Sequence, residues 1–157
     1  TAGKNRFNPG SPATVHPDNQ WMQSFMKQAK AKKLRVDFVA VHNYGGPDAN
    51  RFVRQLKKIY KMYKKPIWIT EFGVGDWKAK SLKNNKYKPK DVLKYMKKVL
   101  TKLDKLDFVE RYAWFPARPD NPALGHSALF KADGSLTELG EYYANHKYKG
   151  KIPKKKK

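Results

Sequence analysis

The stretch from Lys65 to Val74, Lys-Pro-Ile-Trp-Ile-Thr-Glu-Phe-Gly-Val, constrains this chain more than any other. Pro66 ends the helical pattern before it, because proline donates no backbone hydrogen bond and disfavours helix at the preceding residue. Ile67-Trp68-Ile69 has the β-branched and aromatic character of a buried strand. Thr70-Glu71-Phe72-Gly73 then sets a carboxylate where that strand is expected to run out, with Gly73 letting the backbone turn away. Parallel barrels carry their chemistry at the C-terminal ends of strands. Glu71 is therefore the first candidate catalytic residue. A strand-end Glu is most often just solvated; the functional reading is preferred because two further apolar runs end in the same polar and aromatic way.

The flanking segments repeat one unit. Asp18 is placed to cap a helix from about Gln20 to Lys32, with Trp21, Met22, Phe25, Met26 and Ala29 on one face. Asp37–Val41 reads as a strand covered on both sides, ending in His42-Asn43-Tyr44-Gly45-Gly46. Pro47-Asp48 opens a helix whose Phe52, Val53, Leu56, Ile59, Tyr60 and Tyr63 keep a helical repeat. Gly75–Lys88 is a long connection holding Trp77, and connections of that length are often functional. Pro89 begins a third helix, and Phe108–Phe115 is a strand with Tyr112, Trp114, Pro116 and Arg118 at its end. Ala128-Leu129-Phe130 closes at an Asp133-Gly134 turn, and Thr137 caps a last helix. With a short strand near Arg6-Phe7 leading into Ser11-Pro12-Ala13, this makes about four βα units, roughly half an eightfold barrel.

Composition bounds the partners. Of 157 residues, 35 are Lys or Arg against 13 Asp or Glu, a formal charge of +22. Such a charge favours nucleic acid, anionic polysaccharide or a membrane surface. Most of the lysines fall on outer helix faces, where charge is normally solvated. Residues 1–149 form the domain, and residues 150–157, Gly-Lys-Ile-Pro-Lys-Lys-Lys-Lys, read as a basic disordered tail. Without cysteine there is neither a disulfide nor a zinc–thiolate site. No apolar run reaches membrane-spanning length, no signal peptide is visible, and a chain beginning at Thr1 is expected to be processed or cut from a longer one. No cofactor motif occurs.

The strand ends carry a family resemblance. Ser11-Pro12-Ala13, Val36 through Gly45, Lys65 through Phe72, Val109 through Phe115, and Ala128 through Gly140 follow one another in order. This succession resembles the glycosyl hydrolase catalytic core of family 128, endo-β-1,3-glucanases related to alkali-sensitive linkage protein, and it matches that family's C-terminal half. The resemblance implies an α/β fold, a partial (β/α)8 TIM barrel holding strands five to eight. It implies a retaining mechanism with Glu71, in a Thr-Glu-Phe motif, as nucleophile. The family's acid/base lies in an Asn-Glu-Pro motif, which this sequence lacks. His42 and Tyr44 are implied to orient the nucleophile or to bind sugar hydroxyls. Trp77 and Trp114 are candidates for stacking on sugar rings, with a core position the competing expectation for His42 and Trp114. The implied partner is β-1,3-glucan, with an N-terminal half or a second copy completing the barrel, and the implied location is extracellular or cell wall.

A retaining glycosidase needs two carboxyl groups about 5 Å apart. Glu110, Asp76 and Asp120 are the spare acids, and none matches the family's acid/base position. Two rival functions stand beside hydrolysis: a carbohydrate-binding remnant using Trp77, Trp114 and Tyr44, and a lysine-rich protein binding nucleic acid or acidic polymers.

Overall fold

The computed structural model describes residues 7–150. Its centre is a parallel sheet of β1 (Val39–Gly45), β2 (Ile67–Val74) and β3 (Val109–Trp114), in that order. The helices are α1 (Gln20–Ala31), α2 (Ala49–Tyr63), α3 (Pro89–Leu103) and α4 (Glu138–Asn145). α2 connects β1 to β2 and α3 connects β2 to β3, the crossovers that parallel pairing demands. In place of the short strand expected near Arg6-Phe7 and leading into Ser11, the described residues hold two isolated parallel bridges, Gly10 with Phe38 and Thr14 with Val41. Arg6 and the lysines of the tail lie outside the described residues, and Phe7 is exposed without regular structure.

Each helix end has a local cause. Asp48 caps α2 by accepting from Arg51 N, and Lys64 in the left-handed region (φ 51°) stops it before Lys65-Pro66. Pro89 opens α3, and the Asp91 carboxylate accepts from Lys88 N at 3.0 Å. Thr137 caps α4 by accepting from Gly140 N. Gly140 has to be glycine: a Cβ there would lie 2.1 Å from the Leu129 carbonyl oxygen. Two expectations for α1 need correction. Asn19, not Asp18, is its cap, leaving Asp18 to pair with Lys58 at 2.7 Å. Trp21 points outward, 59% exposed and stacked on Phe25, while Met22 and Ala29 make the buried contacts.

The core lies between helices and sheet. Val39, Val41, Ile67 and Ile69 pack with Leu56, Ile59, Val92, Met96, Val99 and Leu100 in one buried cluster. Strand alternation turns the residues between them to the other face. There Phe38 stacks on Trp68 at 3.8 Å, Arg111 lies 4.6 Å over the same ring, and Trp68 Nε1 donates to Glu110. One face of the sheet is thus covered by helices, and the other carries a ladder of aromatic and charged groups.

Candidate active site

A bulge aims the site. Val41 pairs with Ile69, but the next partners are His42 and Glu71, so Thr70 is the extra residue on β2. A bulge of this kind re-aims the side chains that follow it. Glu71 therefore faces His42 rather than following the alternation set by Ile67 and Ile69. β2 does not end at Glu71 as its sequence suggested; it runs on to Val74, with Gly73 paired to Tyr44 inside the strand rather than turning the chain away.

The Tyr44 hydroxyl donates a short hydrogen bond to Glu71 Oε2, and His42 Nδ1 lies 3.4 Å from the same oxygen. Glu71 Oε1 has no protein partner among the described residues. The Glu71 side chain is 39% exposed and that of His42 23%, so the pair sits at an accessible edge of the core. Partial burial first, and the Glu71 carboxylate second, hold the Tyr44 phenol well above its ordinary pKa. Tyr44 remains a proton donor to an acceptor carboxylate. One oxygen of Glu71 is held and the other is free, the arrangement a carboxylate nucleophile requires.

Trp77 joins this group from the Gly75–Lys88 connection. Its Nε1 donates to the Tyr44 carbonyl at 2.9 Å and its ring meets Tyr44 edge-on at 6.1 Å, yet it stays 65% exposed. An exposed tryptophan anchored by its polar end is a ready platform for an apolar ring face. The connection that carries it is well organised. Buried Asp76 accepts from Lys86 N at 3.0 Å and Lys78 N at 3.3 Å, which holds its carboxyl below the ordinary range. Asn85, 1% exposed, donates to the carbonyls of Pro122 and Ala123, and His126 Nδ1 lies 2.7 Å from Tyr87 O. Asp76 is thereby engaged as a loop organiser, a role its sequence position did not reveal.

Trp114 requires a correction. It is 3% exposed, packs against Phe72 and Tyr95, and donates Nε1 to Ser127 O at 2.9 Å. Strand alternation turns Trp114 into the core, so it has no face open to a sugar. Phe115, one residue on, takes the site position instead, edge-on to Tyr44 at 5.4 Å. Of the other acids, Glu110 lies level with the start of β2, and Asp120 pairs with Arg118 on the surface at 2.7 Å. No group of His, Asp and Glu suited to a metal ion occurs among the described residues, and no described helix is long and apolar enough to cross a membrane.

A parallel α/β fold with a held strand carboxylate beside tyrosine, histidine and an exposed tryptophan suits a glycoside-hydrolase type of domain. Residues 2–143 match the family described as glycosyl hydrolase catalytic core, and the chain belongs to that family. It is 33% identical over 138 residues to alkali-sensitive linkage protein 1 of Schizosaccharomyces pombe, covering 85% of this chain and 24% of the yeast protein. Among solved structures it is similar to a subgroup I GH128 endo-β-1,3-glucanase of Amycolatopsis mediterranei in complex with laminaritriose. There the TM-score is 0.73 at 27% identity, over 87% of this chain and 57% of that one. A subgroup VII GH128 oligosaccharide-binding protein of Trichoderma gamsii shares the fold, with a TM-score of 0.67 at 22% identity, over 87% of this chain and 50% of that one. The chain thus spans about a quarter of the yeast relative and little more than half of the bacterial glucanase.

Proposed function

We propose that this chain is the nucleophile-bearing half of a retaining β-1,3-glucan hydrolase. The observation that carries the reading is Glu71, held through Oε2 by Tyr44 and His42 with Oε1 free beside the Trp77 platform. In this reading Oε1 attacks the anomeric carbon and forms a glycosyl ester, while the departing oxygen takes a proton from a second carboxyl group about 5 Å away. Water then cleaves the ester, activated by that same second group. Asp76, Glu110 and Asp120 are engaged elsewhere, so the second group comes from outside the chain.

The fold supplies the rest of the reading. The three strands and the Gly10–Thr14 bridges correspond to strands five to eight of a (β/α)8 barrel. The ladder of Phe38, Trp68 and Arg111 faces the barrel interior, where an upstream half would set its own layer. Sedimentation combined with a laminarin assay tests this. The isolated chain is expected to self-associate or to be loosely folded, and to release no reducing ends from laminarin. A stable monomer that cleaves laminarin would refute the half-barrel reading.

A second reading, glucan binding without catalysis, is favoured by the anchored and exposed Trp77. It is chosen over hydrolysis if the chain, joined to an upstream half that carries an acid/base, binds laminari-oligosaccharides and turns none over.

A further inference from the structure

An open cleft of 1150 Å³ is lined by Tyr44, Trp77 and residues of α2. It is larger than the roughly 300–1,000 Å³ that suits a single small ligand. Tyr44 belongs to both places: its hydroxyl bonds Glu71, and the residue also lines the cleft. Arg51 and Gln55, four residues apart on one face of α2, line one side. Asn43, from β1, donates Nδ2 to Gln55 Oε1 at 3.3 Å. That bond leaves Asn43 Oδ1 and Gln55 Nε2 without protein partners among the described residues. The Arg51 guanidinium likewise makes no ion pair or side-chain hydrogen bond among them.

These free groups read hydroxyls. A planar guanidinium offers five donors, and the paired amides offer one more donor and an acceptor beside an aromatic platform. Asp18 and Asp48 also line the cleft together with Arg54 and Lys58, and Lys58 pairs with Asp18 at 2.7 Å, so charges of both signs flank these groups.

We propose that the Asn43–Arg51–Gln55 face of α2 binds the glucan chain beyond the ring held at Glu71, and so sets a preference for long oligosaccharides over short ones. This rests on the glucan reading above and adds the specificity-determining residues to it.

Calorimetry with laminaribiose and laminarihexaose, on the full chain, tests the proposal. The unaltered chain should bind the hexaose at least tenfold more tightly than the biose. Arg51→Ala and Gln55→Ala should each lose about tenfold for the hexaose, the scale of a lost hydrogen bond to a charged or well-placed group, and under twofold for the biose. Arg51 is exposed and Gln55 half-buried, alanine favours the helix at both, and thermal melts verify that folding is preserved. Lys57→Ala, exposed and outside the cleft, should change neither affinity. Hexaose and biose bound alike, or a hexaose advantage unchanged in both variants, would overturn the proposal while leaving the glucan reading standing. Failure of the unaltered chain to bind either oligosaccharide would overturn the proposal, and the glucan reading is then decided by the chain joined to an upstream half.

Discussion

Tyr44 and Glu71 lie on neighbouring strands, and the Tyr44 hydroxyl donates to the one carboxylate oxygen that His42 also faces. The relationship exists because β2 takes an extra residue at Thr70, which brings Glu71 level with His42. It engages Glu71 Oε2 and leaves Oε1 without a protein partner among the described residues.

That bond has a spectroscopic consequence. Tyr44 ionises well above the ordinary tyrosine value of 10.0, because partial burial and the nearby carboxylate both oppose a phenolate. Glu71→Gln removes the charge but not the burial. Difference absorbance of the phenolate, assigned with Tyr44→Phe, should therefore show the Tyr44 transition moving down in pH without returning fully to 10.0. No movement would mean that the two groups are not coupled.

Trp77→Ala separates binding from stability. The ring is 65% exposed and makes one hydrogen bond, so its loss should cost no more than about 1.5 kcal/mol of unfolding free energy. Affinity for laminari-oligosaccharides should fall about tenfold, matching the apolar area a stacked sugar ring covers. Unchanged affinity would remove Trp77 from the site.

Trp114 should behave oppositely. Fully enclosed against Phe72 and Tyr95, it is expected to cost about 3–5 kcal/mol as Trp114→Ala, and less as Trp114→Phe, measured by urea unfolding. A loss below 1 kcal/mol in the alanine variant would contradict the core placement.

Acid should loosen the loop that carries Trp77. Backbone hydrogen bonds from Lys86 and Lys78 hold the Asp76 pKa below its ordinary value of 3.8. The folded carboxyl thus binds protons less readily than the unfolded one. Its contribution is complete above the ordinary value and is lost as pH falls through the lowered one. Trp77 emission should stay constant from neutrality to about pH 4 and shift below that. Asp76→Asn should show the loosened emission already at neutral pH. An identical acid profile in that variant would exclude Asp76 as the cause.

Much of the fold was legible in the sequence. The Pro66 and Pro89 boundaries, the Asp48 and Thr137 caps and the apolar periodicities of α2 and α3 coincide with the observed elements. The clearest misses come from tertiary pairing. Nothing local in Thr70-Glu71-Phe72-Gly73 announces a bulge, since the extra residue is defined by what β1 presents opposite. Trp21 and Trp114 were exchanged in role: α1 buries Met22 instead of its neighbour, and β3 alternation turns Trp114 inward and Phe115 toward Tyr44. The organising role of Asp76 and Asn85 depends on bonds within and across two irregular segments, 75–88 and 119–127, which carry no periodicity to read.

Covalent trapping tests the central claim most directly. A 2-deoxy-2-fluoro β-1,3-linked glucosyl fluoride carries a leaving group that departs without protonation, so it reports the nucleophile even where no acid is present. Mass spectrometry of the digested chain should find one glycosyl adduct, on the peptide containing Glu71, formed about tenfold more slowly in Tyr44→Phe through loss of one hydrogen bond. Glu71→Gln should give none. No adduct on the intact chain, or an adduct on any other residue, would contradict Glu71 as the nucleophile.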